Sequence, residues 1–245
     1  MCQLLAVIVM MTLGVVMCAG QLGVFEGPGD DPATACERGD SEGCLVLGVM
    51  YAYGAHGVVK DEAKAAAWFE KACSLNSGEG CGELGVLYAL GTGVLKDDAK
   101  AVELYEKACS LNSGVGCIDL GNRYEIGTGV LKDEAKAAEL YEKACRLAPA
   151  HSQPIPPSLQ GQGLVNPNGM VCARLGLLYR DGIGVTKDDA KAAELFEKAC
   201  SLNQGQSCAL LGLLYHNGTG VTKDEAKAAE FYEKACSLDE NECRP

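Results

Sequence analysis

Cysteine is the residue with the most chemistry to offer in this sequence. The chain carries 14 cysteines in 245 residues, against 3 histidines. Four pairs have seven residues between partners: Cys36 and Cys44, Cys73 and Cys81, Cys109 and Cys117, Cys200 and Cys208. Cys236 and Cys243 have six residues between them, and Cys145 and Cys172 have twenty-six. Thiols so placed can close disulfides, stay as buried free thiols, or ligate a metal or a haem. Zinc sites use C-x2–4-C pairs or nearby histidines, and none of these spacings fits. Closing a ring of about nine residues restricts the unfolded chain enough to contribute about 2.5 kcal/mol. The favoured reading is six disulfides, Cys36–Cys44, Cys73–Cys81, Cys109–Cys117, Cys145–Cys172, Cys200–Cys208 and Cys236–Cys243. Disulfides in such number belong to an oxidising compartment.

Other chemistry is sparse. No P-loop string, no H-E-x-x-H, no H-x-H-x-D and no S-x-x-K occurs. His56 and His216 fall near turns and His151 falls in an insertion, so spacing gathers no histidine cluster, and no metal or cofactor is expected. The acidic doublets Asp97-Asp98, Asp133-Glu134, Asp188-Asp189 and Asp224-Glu225 sit where helices start, where carboxylates meet the positive end of the helix dipole. That duty accounts for them without acid–base catalysis, and no catalytic residue is assigned. With 33 acidic and 21 basic residues the net charge is −12. Nucleic-acid binding needs clustered Lys and Arg, so that partner is excluded; an anionic membrane surface is disfavoured for the same reason. A hydrophobic fraction of 48% excludes wholesale disorder, and only 6% aromatic content with plentiful Ala and Gly points to close-packed helices.

The residues that must position these groups recur with a fixed period. YEKACSLN or a near copy ends on the same register at Cys73, Cys109, Cys145, Cys200 and Cys236, in steps of 36, 36, 55 and 36. A second string, G-C-x-x-L-G-x-L-Y, recurs from Gly43, Gly80, Gly116, Val171 and Ser207 with some looseness. Each unit reads as two helices. In the second unit the first helix covers Cys81 to Leu90, with Leu84, Leu87 and Tyr88 on one face. A Gly91-Thr92-Gly93-Val94 turn follows. The second helix opens at Asp97, an N-cap candidate, and Lys107 lies in its last turn. Glycine inside every first helix (Gly48, Gly85, Gly121, Gly176, Gly212) implies close approach of a neighbouring helix. A single unit is too small to bury its apolar face, whereas stacked units share one core.

The pattern L-G-x-L-Y-x-x-G-x-G-V-x-K-D-x-x-K-A followed by Y-E-K-A-C resembles the Sel-1-like repeat (SLR), a relative of the tetratricopeptide repeat. The regular cysteines make it most similar to the cysteine-rich Hcp branch, and the resemblance covers about residues 33–245. It implies an all-α fold, a right-handed α-solenoid of five SLR repeats stapled by inter-repeat disulfides, used as an interaction scaffold. Hcp-type members are described as penicillin-binding proteins or weak β-lactamases; the chain lacks residue-level support for that chemistry. Other SLR proteins scaffold membrane-protein quality control, respiratory-complex assembly or host–microbe contact, so an assembly factor in an oxidising organelle compartment is a further alternative.

The domain reading follows. Residues 1–20, with the uncharged run Leu4–Met17, read as a signal peptide lacking a basic n-region. Its removal would take away Cys2 and Cys18; the alternative is an uncleaved membrane anchor. Residues 21–40 read as an N-terminal cap, 41–77, 78–113, 114–168, 169–204 and 205–240 as repeats, and 241–245 as a tail. The third repeat includes a Pro-rich insertion at 148–170, read as an exposed irregular loop. The expected location is secreted or periplasmic, with no stable membrane insertion after cleavage.

Near-identical repeats make their own departures informative. Counted from each first-helix cysteine, offsets 2, 5 and 9 lie on one helical stripe, with offset 8 beside it. Glu83, Asp119, Asn122, Arg174, Arg180, Asp181, His216 and Asn217 break the repeat's apolar habit there. In related solenoids the first helices line the concave surface, so these eight are the candidate contacts for a protein or peptide. A peptidoglycan-related or β-lactam ligand is the alternative, and the chain is expected to be a monomer. Trp68 reads as packing, and Asn217-Gly218-Thr219 is a glycosylation sequon that matters only in a eukaryotic secretory pathway.

Overall fold

The computed structural model describes residues 31–148 and 167–238. The signal segment 1–20, part of the cap, residues 149–166 of the insertion, His151, the 241–245 tail and Cys243 lie outside these. All elements among the described residues are helices: α1 Pro32–Glu37, α2 Ser41–Tyr53, α3 Glu62–Ser74, α4 Gly78–Leu90, α5 Asp98–Ser110 and α6 Gly114–Ile126, followed by α7 Glu134–Leu147, α8 Pro167–Asp181, α9 Asp189–Ser201, α10 Gly205–Asn217 and α11 Glu225–Leu238. The even-numbered helices from α2 to α10 are the first helices of the five repeats. The odd-numbered helices from α3 to α11 are the second. The chain forms two compact units, one ending at Leu131 and one beginning at Lys132.

Capping explains where each helix starts and stops. Asp61, Asp97, Asp133 and Asp188 precede the second helices, and each carboxylate accepts the N–H of the lysine three residues on, at 2.9–3.0 Å. This satisfies a backbone donor that the helix itself leaves open. The acidic residue after each cap meets the lysine before it, as in Lys96–Asp98 at 3.3 Å and Lys223–Glu225 at 2.9 Å. The doublets therefore do helix-start work. First helices end on a left-handed glycine, as at Gly91 with φ +71°, a conformation open to residues without a Cβ.

Two boundaries differ from the sequence expectation. First helices begin three residues before their cysteine, since Ser77 Oγ accepts the Gly80 N–H at 3.0 Å and draws Gly78–Gly80 into the helix. Pro167 to Met170, read from sequence as part of the irregular insertion, form the start of α8. Proline suits that place because the first-turn N–H has no helical partner to lose.

In the first unit the core runs through Leu45, Leu47, Ala65, Phe69, Ala72, Leu84, Leu87, Leu104 and Ala108. In the second, Ala192, Ala193, Phe196, Leu211 and Leu214 form the central cluster. Trp68 is half-buried against the first core, with Lys71 Nζ 5.5 Å from its ring. The glycines of the first helices accept an aromatic ring from the same repeat. A Cβ on Gly85 would stand 2.7 Å from the Tyr105 ring, and one on Gly176 2.8 Å from Phe196. Three residues before Gly85, a Cβ on Gly82 would meet nothing within 4 Å. The two alanine substitutions therefore have opposite expected signs. Gly85→Ala lowers stability by about 2 kcal/mol through overpacking, whereas Gly82→Ala raises it by about 0.5–1 kcal/mol by removing helix-disfavouring glycine. Thermal melts of the two variants check this; a shared sign would remove the packing argument.

Cysteines join each second helix, or α1, to the next first helix. Cys36–Cys44, Cys73–Cys81, Cys109–Cys117, Cys145–Cys172 and Cys200–Cys208 are disulfides, with Cα–Cα distances of 4.5–5.0 Å. Cys236 is also disulfide-bonded, and its expected partner Cys243 is outside the described residues. A second link crosses the same junctions. Lys107 Nζ donates to the Cys73 carbonyl at 2.8 Å and Lys198 Nζ to the Cys145 carbonyl at 2.6 Å. Each ammonium thus neutralises the negative end of the preceding repeat's second helix, rather than only its own.

Candidate binding face

The first-helix stripe of the first unit is built on α2, α4 and α6. Their cysteine-anchored starts fix the helical phase, so offset 2 from Cys81 places Glu83 and offset 2 from Cys117 places Asp119 beside each other. Both are half-buried. Neither accepts a hydrogen bond from a described residue. Burial, and then repulsion from Asp119, pushes the Glu83 carboxyl up to about 7. Burial raises Asp119 to about 6, with Arg123 pulling the other way.

Aromatic and cationic groups surround this pair. Tyr53, from the end of α2, has its phenol raised by burial and by the charge of Glu83. Tyr105, from α5, is pushed up to about 12 by burial and then Asp119. Arg123 stacks its guanidinium 5.8 Å from the Tyr105 ring centre and reaches Asp98 at 3.4 Å. Three residues of this surround were not among the sequence candidates. Tyr53 lay on the stripe itself. Arg123 stands where the repeat string has leucine or methionine (Met50, Leu87, Leu178, Leu214), a departure visible in the sequence. Tyr105 carries no sequence signal, being the usual aromatic of its string.

The remaining candidates are more exposed. Asn122 is exposed on α6. In the second unit, Arg180 and Asp181 form a two-bonded pair at 2.7 and 3.0 Å, which raises the arginine and lowers the aspartate. His216 Nδ1 lies 2.8 Å from Glu225 of α11. Arg174 is exposed on α8 and Asn217 is the exposed last residue of α10.

Catalytic alternatives gain no geometry. Among the described residues no group of three His, Cys, Asp or Glu side chains is arranged to hold a metal. One string of nucleophile-elbow form, Gly39-Asp40-Ser41-Glu42-Gly43, does occur. An elbow presents its serine between a strand and a helix. Here no described strand precedes it, and Asp40 is the N-cap of α2, accepting the Glu42 N–H at 2.9 Å. The string is a helix start.

The architecture defines a helical repeat solenoid with covalently stapled junctions. The Sel1 repeat pattern matches residues 41–77, 78–113, 114–149, 170–204 and 205–240. The chain belongs to the Sel1 repeat family. Sel1 repeats serve protein–protein interaction, and no catalytic family is indicated. Among solved structures it is similar to a protective antigen of uropathogenic Escherichia coli with an SLR fold, at 29% identity and TM-score 0.69. That alignment covers 84% of this chain and 40% of the antigen, so the chain spans two fifths of that relative's length. A Sel1 repeat protein from Oxalobacter formigenes matches at 23% identity and TM-score 0.67, covering 82% and 74% of the two chains. Helicobacter pylori cysteine rich protein B shares 40% identity over 48% of this chain and 84% of its own, at TM-score 0.40. No curated protein matches the chain.

Proposed function

We propose that this protein is an exported, disulfide-stapled scaffold that binds a protein or peptide on its first-helix face, with Glu83 and Asp119 receiving a basic side chain. What supports the reading is the carboxylate pair itself. Two half-buried acids without a hydrogen-bond donor among the described residues disfavour the folded state, and perturbed groups of this kind gather at functional sites. A lysine or arginine from a partner offsets both the repulsion and the missing donors. The disulfides support an oxidising compartment outside the cytoplasm, and no described helix is long and apolar enough to cross a membrane. The secreted or periplasmic location after loss of residues 1–20 belongs to the same proposal.

A random peptide library panned on the oxidised protein tests this. The wild type is expected to enrich peptides with Lys or Arg, and the Glu83→Gln/Asp119→Asn variant to lose that enrichment. Equal enrichment by both proteins, or none by either, overturns the proposal.

A further inference from the structure

Five large apolar side chains stand in solvent along one edge of the first unit. Val59, Leu95 and Leu131 hold the same turn position in the first three repeats and are 84%, 91% and 91% exposed. Leu90 and Ile126 end α4 and α6 just before two of those turns and are 67% and 72% exposed. Repeats four and five place Thr186, Thr222, Asp181 and Asn217 at these positions. The turn therefore does not need apolar residues there.

These turns are neighbours in space. A Cβ on Gly93 would run into the backbone of Glu62 at the start of α3, and one on Gly129 into that of Asp98 at the start of α5. The tips thus follow one another repeat by repeat. Packed helices sit about 8–10 Å apart, and the first helices of adjoining repeats touch, so the row advances by about 10 Å per step.

Contiguous exposed apolar side chains mark a contact surface. Its width decides what kind. One row of five side chains offers a few hundred Å², short of the ~800 Å² per partner that a stable pair of copies buries. Its spacing decides further. A strand presents same-face residues every ~6.6 or ~13 Å, whereas a helix returns every seventh residue at ~10.5 Å. Lys60 and Lys96 directly follow the first two tips, more than half exposed, and pair with the half-buried Glu62 and Asp98 at 2.7 and 3.3 Å. Such surface pairs hold weakly and exchange readily.

We propose that this edge docks an amphipathic α-helix of a partner protein, with apolar side chains at heptad spacing set between the tips and carboxylates turned toward Lys60 and Lys96. The three turn tips Val59, Leu95 and Leu131 lie outside the first-helix stripe of Glu83 and Asp119, while Leu90 and Ile126 stand at its far end.

The test uses oxidised full-length protein and two labelled peptides of about three heptads, long enough to hold helix. One has leucine at every seventh position and glutamates beside them; the other has the same composition scrambled. Fluorescence anisotropy is expected to show the heptad peptide binding at least about tenfold tighter than the scrambled one. The Val59→Thr/Leu95→Thr/Leu131→Thr variant, which takes the residue of repeats four and five, should keep its melting temperature and lose that preference. Glu83→Gln/Asp119→Asn should bind the heptad peptide as the wild type does, which separates this proposal from the previous one. Equal affinity for both peptides, or binding retained by the threonine variant, overturns it. Wild-type dimers in sedimentation that the threonine variant abolishes would assign the edge to a second copy. Threonine-sensitive binding to phosphatidylcholine–phosphatidylglycerol vesicles would assign it to a membrane. Either result overturns the partner-helix proposal.

Discussion

Replacing Glu83 with glutamine is expected to raise the melting temperature at pH 8 and to leave it unmoved at pH 4. The carboxyl titrates near 4.5 when unfolded and at about 7 when folded, so the folded state holds the proton more tightly. Stability is then fully present below 4.5 and is lost as pH rises through 7. That span corresponds to about 3 kcal/mol, and glutamine removes the loss because it never ionises. Asp119 follows the same sign between 3.8 and about 6, and Asp119→Asn should gain at pH 8 likewise. The two gains are not additive, since neutralising either acid relieves the other. Circular dichroism melts at both pH values, with a gain on the order of 5 °C at pH 8, provide the check. An equal change at both pH values, or a loss at pH 8, would show that the pair is solvated. Combined with the library panning, a variant that is more stable yet no longer selective identifies a site whose chemistry is held against the fold's own preference.

Full reduction has the larger expected effect. Each nine-residue ring contributes about 2.5 kcal/mol and the Cys145–Cys172 ring about 3.6 kcal/mol in the chain-entropy account. Together they reach on the order of 10 kcal/mol, comparable with the net stability of a whole domain. The sulfurs are buried, with bonded cysteines no more than 4% exposed in the five described pairs. These five bridges should therefore resist mild reductant and yield no alkylatable thiol in the folded protein. After reduction in denaturant and dilution, helicity at 37 °C should fall far below that of the oxidised protein. A reduced sample melting within a degree or two of the oxidised one would mean that helix packing alone sustains the array.

The period, both helices of each repeat, the Asp caps and the five described cysteine pairs were legible in the sequence because each rests on local spacing. Asp97, Lys100 and Gly91 act within one turn of the chain, so their roles are written beside them. Gly78–Gly80 and Pro167–Met170 were harder, since glycine and proline read as breakers until the Ser77 cap or the first-turn exemption is considered. Lys107 was placed correctly in a last turn, but its partner is the Cys73 carbonyl of the repeat before, which spacing within one unit does not reveal. Glu83 and Asp119 stood out as departures. Their shared burial arises from adjoining first helices, and no single helix encodes it. His216 shows the same limit: its partner Glu225 belongs to the next helix start.

The placement of the sulfur bridges across junctions also bears on how such a gene changes length. Each 36-residue block donates one cysteine to the bridge behind it and one to the bridge ahead. Excision of residues 78–113 removes Cys81 and Cys109 and brings Cys73 and Cys117 eight positions apart, the separation their former partners had. Duplication of the same block adds one complete bridge and leaves no odd thiol. Unequal recombination can thus lengthen or shorten the array by whole blocks, and oxidative pairing stays in phase at every copy number.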